Sequence, residues 1–295
     1  ACILAGTVHA AATGSSAASA ASLARASYPA MMRAGYAPSF AVGTIAIAGT
    51  LAILVPPSVA FVLFGVMTET SVGKLFMAGI IPGILTAGGY IMTIWLTLKL
   101  KPELGPDPTQ EEQAASTESK GRVWPMVLLI VVIMFGLYGG VATPTEISAL
   151  GALGALLISL GMGRMSWPDF THAVGGTLRI STMIMTIIFG AHLLGYFISF
   201  SQFTNALLAW IADAGLSPTV VMLAVVFVYL ILGTFMDQGA IIILTAPITT
   251  ALMVGLGYNP IWWGVIMIKT AEIGLVSPPL GLVTFVVSAT TKTNL

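Results

Sequence analysis

Charge is the scarcest property of this sequence: 7% of its 295 residues are Asp, Glu, Lys or Arg, whereas 57% are hydrophobic. A soluble globular domain carries about 25% charged residues, so the composition excludes one and specifies a polytopic membrane protein. The 11 basic and 11 acidic residues cancel, which leaves no polybasic lipid anchor and no electrostatic footprint for nucleic acid. Cysteine occurs once, as Cys2, so no internal disulfide can form. Three scattered histidines, His9, His172 and His192, give no zinc site, and no other metal site is visible. Neither H-E-x-x-H nor G-x-S-x-G occurs, and no histidine is placed by sequence near the Ser15 and Ser16 hydroxyls. An intramembrane hydrolase, which needs an activated nucleophile, is thereby excluded. The opening residues, "ACILAGTVHAAATGSS", also lack a basic segment followed by a cleavage site and do not read as a signal peptide.

What abounds is apolar sequence. Uncharged runs of about 18 or more residues, long enough to cross a hydrocarbon core, predict helices over about 75–98, 124–142, 147–163, 180–200 and 218–236, with broken segments at both ends. The two-residue alternation of barrel strands is absent and a bilayer tolerates no unpaired backbone, so the fold class is an all-α polytopic membrane bundle. One segment does not belong in a bilayer. From Lys99 to Arg122, nine of the 22 charged residues fall within 24 positions that also hold three prolines and two glycines. It reads as a solvated linker without a catalytic role, and Lys99, Lys101, Lys120 and Arg122 at its edges favour the cytoplasmic side.

An internal repeat organises the rest. "MRAGYAPSFAVG" contains Gly35, Tyr36 and Pro38, and "VGLGYNPIWWGV" contains Gly257, Tyr258 and Pro260, an offset of 222 residues. The same offset carries Pro56 and Pro57 onto Pro278 and Pro279, the only other adjacent prolines. Each copy therefore reads G-Y-x-P, 17 residues, then P-P. Residues 1–73 match 223–295, so copy one lacks a counterpart of the helices between about 124 and 222. Roughly a hundred upstream residues are expected to be missing, by the size of the second unit, and the chain reads as a fragment.

Proline has no N–H, and its ring collides with the carbonyl four residues back. Pro56 and Pro57 should release the carbonyls of Ala52 and Ile53, and Pro278 and Pro279 those of Gly274 and Leu275. A freed carbonyl in hydrocarbon needs a neighbouring helix, water or a cation. A single kink is plain packing geometry, but paired breaks at matching places in two repeats point to a transporter's central site.

Each break has a companion upstream. "ATGSSAASAAS" interrupts an apolar run with Gly14 and supplies the hydroxyls of Ser15, Ser16 and Ser19; "GTFMDQGAII" holds Gly233, Thr234, Asp237, Gln238 and Gly239. Both read as hairpin tips inside the membrane, while the alanines of residues 17–24 read as close helix packing. Asp237, between two apolar runs, is costly at that depth and needs a cation, a proton or a basic partner. Lys269 and Glu272, three residues apart, share a helix face; mutual neutralisation is the expectation, with contact to substrate the alternative. The chain thus divides into a first hairpin, broken helix and following helix over 1–98, the polar linker over 99–123, scaffold and connecting helices over 124–215, and a second hairpin and broken helix over 216–295.

"TGSSAAS", "GTLAILVPPS", "SVGKLFMAGIIPG" and "EIGLVSPPLG" resemble, in that order, the signature segments of the large membrane subunit of TRAP transporters, the tripartite ATP-independent periplasmic carriers. The resemblance runs from about Ala5 to Ser288 and is specific to the family without fixing the substrate. It implies a secondary transporter in a bacterial or archaeal cytoplasmic membrane that imports a carboxylate, an organic acid, on a sodium gradient. Its transport domain would be of elevator type, with two hairpins and two broken helices in inverted repeats. A small four-helix membrane subunit would complete the scaffold, and a periplasmic binding protein would deliver the substrate.

Carried over motif by motif, one sodium ion would lie where Ser15, Ser16 and Ser19 meet Ala52, Val55 and Pro57. The second would lie between Gly233, Thr234 and Asp237 on one side and Gly274, Ser277 and Pro279 on the other. Ser58, Gln238, Lys269 and Gly281 are the candidate substrate contacts. The family pattern usually has glycine where Ala52 stands and threonine where Ser277 stands; a carbonyl ligand survives either change, and Ser277 keeps a hydroxyl. Helix N-termini just beyond Pro57 and Pro279 would offer free N–H groups and a positive dipole end to an anion. A proton-coupled carrier or passive channel, with Asp237 as the proton site, is the alternative on the same residues.

Overall fold

A computed structural model of the chain describes residues 2–3, 6–7, 13–106, 124–163 and 165–293. Among the described residues no strand occurs, and twelve α-helices follow one another: α1 Ser16–Arg33, α2 Pro38–Thr50, α3 Val59–Thr68, α4 Val72–Leu100, α5 Trp124–Tyr138, α6 Pro144–Gly161, α7 Trp167–Phe200, α8 Phe203–Asp213, α9 Pro218–Phe235, α10 Gln238–Gly255, α11 Pro260–Val276 and α12 Leu282–Thr291. Five of them, α4, α6, α7, α9 and α10, are long and apolar enough to cross a membrane.

Local signals account for where these helices depart from the expected ranges. The helix expected from 180 begins at Trp167 instead, because Ser166 and Asp169 exchange capping bonds that start it before its apolar stretch. Thr143 and Glu146 do the same for α6: the Thr143 N–H donates to Glu146 Oε2 at 2.8 Å, and the Glu146 N–H donates to Thr143 Oγ1 at 3.4 Å. The preceding helix, expected to reach 142, stops at Tyr138, where Gly139 and Gly140 follow and Gly140 takes φ +67°. α4 runs on through Lys99 to Leu100 and is followed by a 3-10 turn at Pro102–Leu104, so the first residues of the expected linker are helical. From residue 107 to residue 123 the linker, with Lys120 and Arg122, lies outside the described residues, as does His9.

The 222-residue offset is visible in the element boundaries. It carries the start of α1 at Ser16 onto the start of α10 at Gln238, and the start of α2 at Pro38 onto that of α11 at Pro260. The G-Y-x-P motif is the turn between each pair. Gly35 and Gly257 take φ +82° and +91°, where glycine meets no steric penalty. The Tyr36 N–H then returns to Met31 O at 3.1 Å and the Tyr258 N–H to Met253 O at 2.9 Å. These 6→1 bonds close the outgoing helix, and the proline opens the next with a φ already helical.

Packing exchanges parts between the two copies. Ala20, Leu23 and Ala24 of α1 and Val42 and Ile45 of α2 share a core with Val283 and Val287 of α12, the helix after the second break. Reciprocally, Ile241, Ile242 and Ile243 of α10 and Trp263, Met267 and Ile268 of α11 share a core with Phe61 and Phe64 of α3, the helix after the first break. Each hairpin helix thus packs against the half-helix of the other copy. Within a copy the helices close on glycine. A Cβ at Gly49 would lie 2.6 Å from Ala20 Cβ, and one at Gly274 would lie 2.6 Å from Gly233 Cα; only small residues let membrane helices approach so closely. α5 and α6 pair separately, with Ile147, Ile133 and Leu129 seated over Gly136, Gly151 and Gly154.

Candidate functional site

The first hairpin tip and the first break meet. Gly14, at φ +62°, turns the chain into α1, and its carbonyl accepts the Val59 N–H at 3.3 Å from just beyond the Pro56–Pro57 pair. A side chain at Gly14 would lie 3.1 Å from Val59 Cγ2 and 3.4 Å from Pro57 O, so the contact depends on glycine. Ser15 is the half-buried N-cap of α1, and its carbonyl accepts the Ser19 N–H at 2.9 Å. Ser16 and Ser19, one turn apart on the same face, are buried. Ser16 Oγ donates to Glu272 Oε2 at 3.1 Å, whereas Ser19 Oγ has no hydrogen-bond partner.

α2 gives way at Leu51 to a 3-10 turn, and the N–H groups of both Leu54 and Val55 return to Leu51 O, at 3.2 and 3.0 Å. The next two residues are the prolines, so among the described residues no turn bond ends on the carbonyls of Ala52 and Ile53. Ala52 is fully buried, and Val55 and Pro57 are half-buried beside it.

The second set of residues is arranged differently. Gly233 and Gly274 are in backbone contact where α9 crosses α11, with Thr234 buried alongside. The expectation that Pro278 frees the Gly274 carbonyl does not hold: the Ser277 N–H, one residue earlier, donates to it at 2.9 Å by tightening the last turn to i→i+3. That oxygen keeps one lone pair for a second donor or an ion. The hydroxyls of Thr234 and Ser277 turn back on their own helices, to Ile231 O at 2.8 Å and Ile273 O at 2.6 Å. Pro279 is exposed.

Asp237 stands exposed at the bend between α9 and α10. There it caps α10, with Oδ2 accepting the Gly239 N–H at 2.9 Å. A carboxylate at a helix N-terminus is stabilised by the free N–H groups and the dipole, so part of its charge is already answered by its own chain.

Lys269 and Glu272 do not neutralise each other through a hydrogen bond. Lys269 Nζ donates to Tyr90 Oη at 3.3 Å and stands 5.4 Å from the centre of that ring. Thr50 Oγ1 donates to Ile47 O at 2.7 Å, which leaves it accepting from Tyr90 Oη at 2.9 Å. Glu272, 1% exposed, meets Ser16 through one carboxylate oxygen, and its other oxygen, Oε1, has no hydrogen-bond partner.

The four candidate substrate contacts are not gathered in one cavity. Ser58 is buried with an unpartnered Oγ and lines a 590 Å³ cavity between the first break and the α5–α6 pair, walled by Gly14, Pro57, Ile133 and Ile147 among others. Gln238, Lys269 and Gly281 are not among its walls. Gln238 is buried, its Nε2 donating to Ile268 O at 2.9 Å. Gly281 takes φ +56° as the N-cap of α12.

Gln238 and Ser16 are counterparts at the 222 offset, and both bond to α11, so one helix receives the first residue of each hairpin's second arm. Tyr90 and Thr50 escape sequence reasoning because nothing local marks them, and the part played by Glu272 at the first tip spans 256 residues. The repeat itself held one clue: the offset sets Glu272 on Thr50 and Lys269 on Ile47, the two ends of the Tyr90 relay.

Among the described residues no group of three His, Cys, Asp or Glu side chains could hold a metal ion. The donors that stand ready are oxygens: a buried carbonyl at Ala52, a hydroxyl at Ser19 and one carboxylate oxygen of Glu272. Such a set suits a hard cation, not a transition metal.

The whole chain, residues 1–295, matches the model of a protein family described as the tripartite ATP-independent periplasmic transporter, DctM component. It is 37% identical over 292 residues to the C4-dicarboxylate TRAP transporter large permease protein of Pseudomonas aeruginosa, covering 99% of this chain and 68% of that protein. To the permease of the same description from Vibrio cholerae it is 32% identical over 286 residues, 90% of this chain and 63% of the relative. The 2,3-diketo-L-gulonate TRAP transporter large permease protein of Escherichia coli is 30% identical over 295 residues, 98% of this chain and 68% of the relative. The chain therefore spans about two thirds of the length of these curated relatives.

Proposed function

This chain belongs to the DctM-component family of tripartite ATP-independent periplasmic transporters, and from that premise we propose that it forms the translocating part of a sodium-driven importer of an organic acid. It is a multi-pass protein of the bacterial inner membrane. The observation that carries the proposal is the reciprocal packing of two hairpins on two broken helices at one constant offset. A carrier built from a duplicated unit needs such exchange, because its central site lies where the two copies meet. The first tip and first break, with Ser16, Ser19 and Ala52, form one sodium site; Gly233, Thr234, Asp237, Gly274 and Ser277 form the other. The two copies are inverted in the membrane, and the hairpins with their breaks move as an elevator against scaffold helices.

The carboxylate is held at the N-termini of the half-helices α3 and α12, where the amide dipole favours an anion. At α3 the Ser58 hydroxyl, buried and without a partner, is the added donor. Sodium orders the tips and thereby creates the carboxylate site, so each ligand raises the other's affinity by the same factor. A small four-helix subunit completes the scaffold and a periplasmic binding protein supplies the substrate. Relatives named for C4-dicarboxylates and for 2,3-diketo-L-gulonate favour a small, oxygen-rich carboxylate.

The test is uptake of radiolabelled organic acids into proteoliposomes holding the full-gene-length permease with its small subunit and binding protein, with and without an inward sodium gradient. Uptake that requires sodium supports the proposal. Uptake that follows a proton gradient and ignores sodium replaces it with the proton-coupled reading; uptake that ignores both replaces it with a passive pathway.

A further inference from the structure

Glu272 is the buried charge that the two sodium sites, as drawn from the hairpins and breaks, leave unused. It lies on α11 in repeat two and is 1% exposed, yet its only hydrogen bond among the described residues joins it to Ser16 at the tip of repeat one. Oε1 is unpartnered, and so is Ser19 Oγ, one helical turn beyond Ser16 on the same face of α1. Buried polar atoms are almost always satisfied, and a buried carboxylate needs a counter-charge. The nearest basic residue along α11, Lys269, directs its ammonium to Tyr90, and Asp237 can only add negative charge. Among the described residues a single hydrogen bond, from Ser16, meets the Glu272 side chain, and Oε1 is left without a donor.

We infer that Glu272 is a cation ligand: its carboxylate, together with the hydroxyls of Ser16 and Ser19, holds the ion at the first hairpin tip, so that a sodium ion in repeat one is bound by a charge from repeat two. This rests on the sodium reading above and goes beyond it, since that reading gave the first site only neutral oxygens. One carboxylate and one monovalent cation make a neutral set, the form in which ions are tolerated away from water. The arrangement also ties the sites together. Glu272 is two residues from Gly274 of the second site, so an ion that draws Glu272 toward α1 repositions α11 at its crossing with α9.

The experiment is thermal melting of the full-gene-length permease, purified with its small subunit, in sodium chloride titrated against choline chloride at constant ionic strength. A bound ion stabilises the folded state by RT ln(1 + c/Kd) at sodium concentration c, so the concentration at which melting begins to rise, the midpoint here, reports its affinity. Wild type, Glu272→Gln, Ser19→Ala and Asp237→Asn are compared without substrate. The expected result is a sodium midpoint about tenfold or more higher in Glu272→Gln and several-fold higher in Ser19→Ala, while Asp237→Asn keeps a response that Glu272→Gln abolishes when the two are combined. A wild type that responds to sodium and a Glu272→Gln variant with an unchanged midpoint overturn the inference alone. A wild type indifferent to sodium overturns the sodium reading and the inference with it. Should Glu272→Gln fail to fold, Ser19→Ala decides: an unchanged midpoint there overturns the ligand set.

Discussion

Replacing Gly274 by alanine should separate two helices that nothing else can hold so close. The new Cβ would lie 2.6 Å from Gly233 Cα, 2.7 Å from Leu230 O and 2.8 Å from Gly233 C. All three neighbours are backbone, so no rotamer change relieves the overlap. Carbon atoms rest about 3.5–4.0 Å apart, so α9 and α11 have to part by roughly 1 Å. Overpacking costs about 1–3 kcal/mol, and the unyielding neighbours put this substitution at the upper end, about 2–3 kcal/mol. For domains of 150–250 residues such a loss lowers the melting temperature by roughly 4–12 °C. A displacement of this size also moves Gly233 and Gly274, both at the second candidate ion site, so the sodium midpoint should rise together with the loss of stability. Gly43→Ala in α2 is the control: nothing stands within 4 Å of its added Cβ, and alanine gains up to about 1 kcal/mol of helix propensity over glycine. Melting curves of the purified permease, with and without sodium, read both quantities. If Gly274→Ala melts with wild type and keeps its sodium midpoint, the close crossing of α9 and α11 is not a constraint on the second site.

Asp237→Asn should leave stability within about 1 kcal/mol, because asparagine also caps a helix well; sodium-driven uptake should fall to background, and an unchanged uptake rate would remove Asp237 from the ion site. Ser16→Ala strips Glu272 of its only hydrogen bond among the described residues and should cost about 1–3 kcal/mol, the penalty of an unpaired buried group; a melting temperature equal to wild type would show that the bond is not formed. Tyr90→Phe keeps the ring under Lys269 but removes the oxygen that links Lys269 to Thr50, and a loss of about 0.5–1.5 kcal/mol is expected in the same melting assay; a larger loss would mean that Lys269 depends on that oxygen alone.

What could be read in the sequence was what is decided locally. A left-handed glycine followed three residues later by proline, with tyrosine between, specifies a helix end and a helix start within five residues, and both copies adopt that turn. Adjacent prolines cannot donate, so the loss of the Ala52 carbonyl's partner follows from residue chemistry alone. The Gly274 carbonyl differs because a helix end can tighten by one residue, a choice made by its surroundings and not by Pro278. The bend at Asp237 was legible too, because Asp237, Gln238 and Gly239 interrupt two apolar runs, and the chain turns there between α9 and α10. The exchange of Val283 and Val287 for Phe61 and Phe64 between the two cores leaves no trace in periodicity, because membrane helices are apolar on every face. The Ser16–Glu272 bond, across 256 residues, is visible only once both hairpins are folded.

Equilibrium binding of radioactive sodium to the purified full-gene-length permease with its small subunit, measured with and without a transported carboxylate, addresses the central claim most directly. Saturable binding is expected, reduced in Asp237→Asn and in Glu272→Gln, with an affinity that rises when substrate is added. Sodium binding that never saturates, or that saturates identically in both variants and ignores substrate, would contradict the assignment of the two tips and breaks as coupled ion sites.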